Sequence, residues 1–188
     1  MHDPAMMSDS DLDLIFRNAR SVKNWTNRPV SNVLLRALWE LTCLGPTAFN
    51  SQPLRVVFVK SQNGKEKLKA ALMDGNIAST MAAPVTAILA VDTGFFEHMT
   101  HNIKGPMEDH ETAWRNASIQ GGYFIIAARA LGLDCGPMSG FDNTAIDDSF
   151  FFDGRFNSNF LVNLGYGNLR NLPLRDSRLD FDTACTIT

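Results

Sequence analysis

Hydrophobic positions recur at two spacings along this chain, and the switches between them mark its elements. Leu12, Ile15 and Phe16 form a helical stripe behind Ser8 and Ser10, either of which can cap a first helix running to about residue 20. "RSVKNWTNRP" then breaks the pattern as a loop. Ser31 can cap a second helix carrying Leu34, Leu38 and Leu41, which Gly45 and Pro46 stop. "LRVVFVK" reads as a strand and "GKEKLKAALM" as an exposed helix ended by "DGN". "VTAILAVD" has almost no alternation, as expected of a strand covered on both faces. A loop-like stretch over 93–108 precedes a long helix over about 111–131, with Gly132 placed for a C-terminal cap. "LDCGPMSGFDN" reads as a Gly/Pro/Ser elbow, and Asp142 or Asn143 as the cap of a short helix toward Phe151. "NFLVNLGYG" is the last clear strand, followed by a polar tail with Arg170, Arg175 and Arg178.

Helices and strands intermix without repeat, linker or low-complexity tract. The expectation is one domain over 1–188, an α/β-type layered sandwich with helices over a central sheet. The tail is too polar to form core and is expected to wrap a partner subunit.

Composition narrows the function classes. The chain has 188 residues, 45% hydrophobic and 20% charged, with a net charge of −3, so there is no basic excess to neutralise nucleic-acid phosphates. Its three cysteines, Cys43, Cys135 and Cys185, are odd in number and far apart, which argues against a disulfide framework and fits a reducing cytoplasm. The acidic N-terminus lacks the apolar core of a signal peptide, and "MAAPVTAILAV" is too short to span a bilayer. A cytoplasmic location without membrane contact is expected.

Most chemical motifs are missing. "GYGNLR" begins like a dinucleotide fingerprint, but Arg170 occupies the third glycine position and Pro173 spoils the helix start. There is no phosphate loop ending in Gly-Lys-Ser/Thr, no paired-cysteine motif and no nucleophile elbow. His98, His101 and His110 gather near Glu97, Glu108, Asp109 and Glu111, yet nothing fixes a ligand spacing, and no metal is assigned. Arg20, Ser21 and Lys23, with Arg17 a turn earlier, could grip a monophosphate through charge-assisted bonds. The same cations could equally be solvated or complement the helix dipole.

Taken together, these stretches resemble the FMN-dependent nitroreductase family. The resemblance rests on "ARSVKNW", "PVSNVLLRALWELTCLGPTAFNSQP", "APVTAILAV", "ALGLDCGPMSGFDN" and "FLVNLGYGN", in the family's order and over nearly the whole chain. "GPTAFNSQP", "GNIASTMAAPVTAI" and "ALGLDCGPMSGFD" are most similar to the malonic semialdehyde reductase (RutE-type) branch of pyrimidine degradation. The resemblance implies an α+β three-layer sandwich around a mixed, mainly antiparallel sheet. It also implies a homodimer with FMN at the subunit interface. Turnover is then ping-pong: NADH or NADPH gives hydride to flavin N5, and a small-molecule substrate takes the electrons in turn.

Residue by residue, the resemblance assigns Ser21 and Lys23 to the FMN phosphate. The family's arginine is replaced by Ala19, with Arg20 adjacent as substitute. Asn76 matches a ring contact. Pro137, Met138, Ser139 and Gly140 match the elbow that turns a backbone N–H toward N5, and Ser139 stands where many members carry Glu. Arg178, with Arg175 second, matches a tail arginine near the phosphate. A flat ring with one polar edge needs apolar walls, a few placed donors and close backbone approach. Pro46, Thr47, Asn50, Ser51 and Gln52 supply one such wall, and Ser139 or Thr47 is a candidate proton donor to the product. Trp25, Trp39, Trp114, Tyr123, Phe124 and Phe141 are read as core or dimer packing, with Trp114 and Phe141 nearest the proposed site. The competing readings are a nitroaromatic or quinone reductase on the same fold, and a flavin-binding protein with little turnover.

Overall fold

The computed structural model describes residues 6–99, 110–170 and 172–188. Its axis is a strand, Val85–Asp92, in which every residue is buried. Numbered in chain order, the strands are β1 (Leu54–Val59), β2 (Val85–Asp92), β3 (Asp134–Met138) and β4 (Phe156–Gly165). They lie in the order β1-β2-β4-β3, and each neighbouring pair is antiparallel. The parallel component expected of a mixed sheet is reduced, among the described residues, to one bridge between Ser21 and Cys135.

The helices are α1 (Asp9–Leu12), α2 (Asn32–Thr42), α3 (Gln62–Ala71), α4 (Asp74–Ala82), α5 (His110–Ala130), α6 (Asn143–Phe150) and α7 (Phe181–Ala184). Ser8, Ser31, Ser61 and Asp142 each accept a hydrogen bond from the first turn of the helix that follows. Side chains on a strand alternate between faces, so β2 divides its own residues between two cores. Ala87 and Leu89 join Leu35 and Leu38 of α2 and Phe124 and Ala128 of α5. Ile88 and Ala90 join Leu68 and Ala71 of α3 and Ile146 of α6. Both faces of the sheet are thus covered, which makes the three-layer sandwich, and each fully buried Leu or Ile contributes roughly 1.5–3 kcal/mol.

Several sequence expectations are corrected. The buried stripe of α2 is Leu35, Leu38 and Thr42, whereas Leu41 is 40% exposed. "DGN" does not end α3. That helix stops at Ala71 because Leu72 is extended and bridges to Phe141, and Asp74 then opens α4. The first half of the second elbow is β3. Gly136 and Pro137 are tolerated there because β4 is the one strand among the described residues that pairs with β3, whose other side is an edge touched by the single Ser21–Cys135 bridge. The first helix loosens after Leu12 into a wider π-type turn over Asp13–Arg17. Gly132 does cap α5, at φ 77°.

Where β1, β2 and β4 meet, Asp92 is fully buried and neutralised by Arg55 and Arg155, at 2.6 and 2.9 Å. No helix among the described residues is long and apolar enough to cross a membrane.

Candidate active site

The basic loop after Arg17 is organised by one apolar anchor. Val22 is buried, and its N–H donates to the carbonyl of Cys135 at 2.9 Å. Extended backbone alternates its side chains, so Ser21 and Lys23, on either side of Val22, both face outward. Trp25 continues the attachment through a bridge to Gly167 and an indole hydrogen bond to Ser79 Oγ at 3.2 Å. Arg17 is held on its own helix by Asp9 and Asp13 and does not join the loop.

Arg20, Ser21, Arg175 and Arg178 line one cleft of about 380 Å³, together with Ala19, Ile125, Ile126, Arg129, Pro137 and Asp176. The tail is fastened there by its own arginines. Arg175 donates to the carbonyls of Phe16, Arg17 and Ala19, and Arg20 donates to that of Pro173 at 2.6 Å. Four guanidiniums therefore border the cleft, Arg129 among them already paired with Asp134, against one lining carboxylate among the described residues, Asp176, and the three others suit a phosphate dianion. Ala19 lies in the wall beside Arg20, so the missing arginine leaves no shortage of cations. Arg129 was not anticipated from sequence. It pairs with Asp134, and its Nε is buried without a partner among the described residues. Nothing before folding indicates that the end of α5 meets the tail. Cys135 also lines this cleft, where burial pushes its thiol up to about 12, so it serves as wall and not as nucleophile.

A second, narrow cleft of about 40 Å³ is lined by Ser21, Lys23, Asn76, Pro137 and Met138, with Val22, Ser79, Gly136 and Asn163. Ser21 and Pro137 border both clefts, so the basic end and the second elbow form one continuous surface. Gly140 is fixed at the far end of the elbow. Its carbonyl accepts from Met73 N–H at 3.1 Å and from Asn76 Nδ2 at 2.9 Å. A Cβ on Gly140 would lie 2.5 Å from that Nδ2, so a larger residue would make the Asn76 amide shift and loosen its bond to the Gly140 carbonyl. Ser139 is exposed beside it.

The first elbow stands apart. Thr47 Oγ accepts from Gln52 N–H at 3.1 Å, and Phe49, Asn50 and Gln52 all adopt left-handed backbone with φ of 51°, 55° and 46°. Such conformations in non-glycine residues cluster at functional sites, where the surroundings hold them in place. The holding comes from α5: Asn116 accepts from Ala48 N–H at 2.7 Å and Gln120 from Leu54 N–H at 3.0 Å. Ser51 is buried with its Oγ unpartnered among the described residues. Thr47 lines a separate groove with Thr112, Arg115, Asn116 and Ile119. Within one chain, then, Thr47, Asn50, Ser51 and Gln52 are not brought to the surface that holds Ser21, Asn76 and Pro137.

Of the histidine cluster, His98 lies against Arg155 and His110 against Trp114. His101, Glu108 and Asp109, and most of the expected loop, fall outside the described residues. Phe124 and Phe141 are core, while Trp39 and Tyr123 are 37% and 41% exposed.

An antiparallel sheet between two helical layers, with a cationic cleft running into a Gly/Pro elbow, defines the class as a small α+β sandwich protein, and sequence comparison specifies it further. Residues 16–166 match the model of the nitroreductase family. A protein of Cupriavidus pinatubonensis, provisionally named NADH dehydrogenase/NAD(P)H nitroreductase, is 47% identical over 195 residues, covering 97% of this chain and all of that one. A similarly named protein of Xanthomonas oryzae pv. oryzae is 51% identical over 192 residues, covering 95% and 98%. Among solved structures, a provisionally named nitroreductase of Exiguobacterium sibiricum in complex with FMN superposes with a TM-score of 0.85. It shares 17% identity and covers 98% of this chain and 100% of its own. One from Bacillus subtilis gives 0.84 at 23% identity, with coverages of 95% and 99%. The chain belongs to the nitroreductase family.

Proposed function

We propose that this protein is an FMN-dependent NAD(P)H oxidoreductase that reduces a small organic acceptor. The observation that carries the reading is the continuity of the two clefts: a cationic end ringed by arginines passes, across Ser21 and Pro137, into a narrow slot under the second elbow. That polarity, cationic at one end and Gly/Pro-walled at the other, supports a phosphorylated ring lying along this surface. FMN is the cofactor and NADH or NADPH the co-substrate; when bound, FMN supplies hydride transfer in both half-reactions.

The chain's own residues do the rest. Arg20, Ser21, Arg175 and Arg178 hold the phosphate, with Arg129 behind them. Asn76, Pro137, Met138 and Gly140 orient the ring, and the Asn76–Gly140 bond keeps the elbow's backbone rigid against it. Lys23 contributes positive charge at the slot. Thr47, Asn50, Ser51 and Gln52 line neither cleft in this chain, so a homodimer in which the partner's first elbow covers the ring accounts for both halves. Apolar tail residues Leu174 and Phe181, 93% and 59% exposed, fit a tail that packs on that partner.

For the acceptor, the semialdehyde reading rests on the resemblance in the elbows and on Ser139 in place of Glu. The aldehyde carbon takes the hydride, and Ser139, Thr47 or water gives the oxygen its proton. The nitroreductase reading is favoured by the relatives' names. Anaerobic titration of the yellow protein with NADH and NADPH tests the core proposal, which a colourless protein indifferent to added FMN would end. Turnover on malonic semialdehyde against a nitroaromatic then separates the two acceptors.

A further inference from the structure

Lys65 is a buried ammonium with no carboxylate partner among the described residues. Only 4% of the residue is exposed, on the face of α3 that carries Leu68 and Ala71 into the core. Its Nζ donates to the carbonyl of Thr80 at 2.8 Å and to Thr86 Oγ at 2.6 Å. No ion pair to it occurs among the described residues, and burial alone lowers its pKa, to about 8. Asp92, buried to the same degree, has two arginines. An unpaired buried charge costs several kcal/mol, and an apolar side chain of the same length would remove the cost.

The hydrogen bonds from Lys65 lead to the slot. Thr86 Oγ donates onward to Asn163 Oδ1 at 2.6 Å. Asn163 Nδ2 donates to Thr80 Oγ at 3.2 Å, and Thr80 Oγ donates to Met138 Sδ at 3.5 Å. Asn163 and Met138 both line the narrow cleft. Every donor points away from Lys65, so the dipoles are aligned, and each polarises the next in a medium of low dielectric. The chain ends on the Met138 thioether at the slot wall, with the positive ends of its dipoles directed toward that wall.

We propose that Lys65 is a positioning residue that acts through Thr86, Asn163, Thr80 and Met138 as the fixed counter-charge for the electron-rich form of the ring held in that slot. Two electrons and one proton arriving on FMN add one negative charge, and this charge is the partner Lys65 lacks. The inference rests on the flavin reading above. It assigns to α3, which touches neither cleft, the task of favouring electron uptake.

The test is the midpoint potential of bound FMN, measured by anaerobic dye equilibration in the wild type, Lys65→Met and Lys65→Gln, alongside free FMN. Met keeps the length without charge, and Gln keeps an N–H donor. The expected result is a wild-type potential above that of free FMN. Both variants should favour the reduced over the oxidised cofactor about tenfold less, about 30 mV for a two-electron couple. Affinity for oxidised FMN should change far less. A purely structural role would weaken both oxidation states alike and leave the potential in place, which would overturn the proposal. Should neither variant fold, a wild-type potential below that of free FMN overturns it, and one above supports it. A wild type that binds no FMN sinks the cofactor reading itself, whereas a flavoprotein whose variants keep the wild-type potential sinks only this inference.

Discussion

Gly136→Ala isolates the joint that links the basic loop to the sheet. A Cβ on Gly136 would lie 2.5 Å from the carbonyl oxygen of Val22 and 3.3 Å from the Trp25 ring. The closer atom is backbone and cannot rotate away. Val22 is also pinned, 1% exposed, by its own N–H bond to Cys135 on the same strand. Relief requires the loop and β3 to separate. Overpacking of this kind costs about 1–3 kcal/mol, and a weakened Val22–Cys135 bond adds about 1 kcal/mol. At about 2–4 °C per kcal/mol for a chain of this size, the apo protein should melt roughly 4–16 °C lower. Because Ser21 and Lys23 flank Val22, FMN affinity should fall about tenfold or more, equivalent to at least ~1.4 kcal/mol.

Gly121→Ala provides the contrast. Its Cβ would meet the tip of the Phe160 ring at 2.6 Å and Leu89 at 3.2 Å, in the core beneath α5 and away from both clefts. It should lower the melting temperature while the folded protein keeps its FMN affinity. Thermal melts by circular dichroism and fluorescence titration with FMN read the two effects separately. If Gly136→Ala melts with the wild type and binds FMN unchanged, the loop is not held by this contact, and the account of how Ser21 and Lys23 are positioned is wrong.

Other outcomes follow from the same geometry. Arg178→Ala should weaken FMN about 10–100-fold through loss of a charge-assisted bond, yet leave riboflavin, which has no phosphate, unaffected; an equal loss for both would remove Arg178 from the phosphate. Lys65 binds its proton less tightly folded, at about 8, than at the ordinary 10.5. The unfolded chain then holds more protons between those values, and stability contributed by this group rises with pH across that window, by up to about 3 kcal/mol. Urea melts of wild type and Lys65→Met should therefore diverge in the wild type's favour from pH 8 to 10, and parallel curves would contradict it. A thiol reagent at pH 8 should titrate Cys43 and Cys185 in the native protein but reach Cys135, buried and protonated, only after denaturation.

The local determinants were legible without the fold. The uninterrupted apolar run of β2, the serine caps of α1 and α2, Gly132 beyond α5 and the Asp142 cap are decided by side-chain pattern and backbone freedom within a few residues. The same holds for the alternation around Val22, which leaves Ser21 and Lys23 facing outward on either side of a buried residue. One signal was present but easily passed over. Lys65 stands with Leu68 and Ala71 on the stripe that α3 buries, and its ammonium is the exception in that stripe.

What the tertiary structure alone decided is which distant segments meet. Pro137 in a strand is unfavourable locally and became acceptable once β3 was placed at an edge. Arg129, Arg20 and Arg175 come from a helix end, a loop and a tail more than a hundred residues apart at their extremes, and only the docking of the tail on residues 16–19 gathers their charge into one cleft. The hydrogen-bond chain from Lys65 to Met138 joins five elements, α3, β2, β4, α4 and β3, for the same reason. Propensity and periodicity act over a turn or a strand, whereas a binding site is set by contacts between surfaces that the chain brings together only when its two cores close.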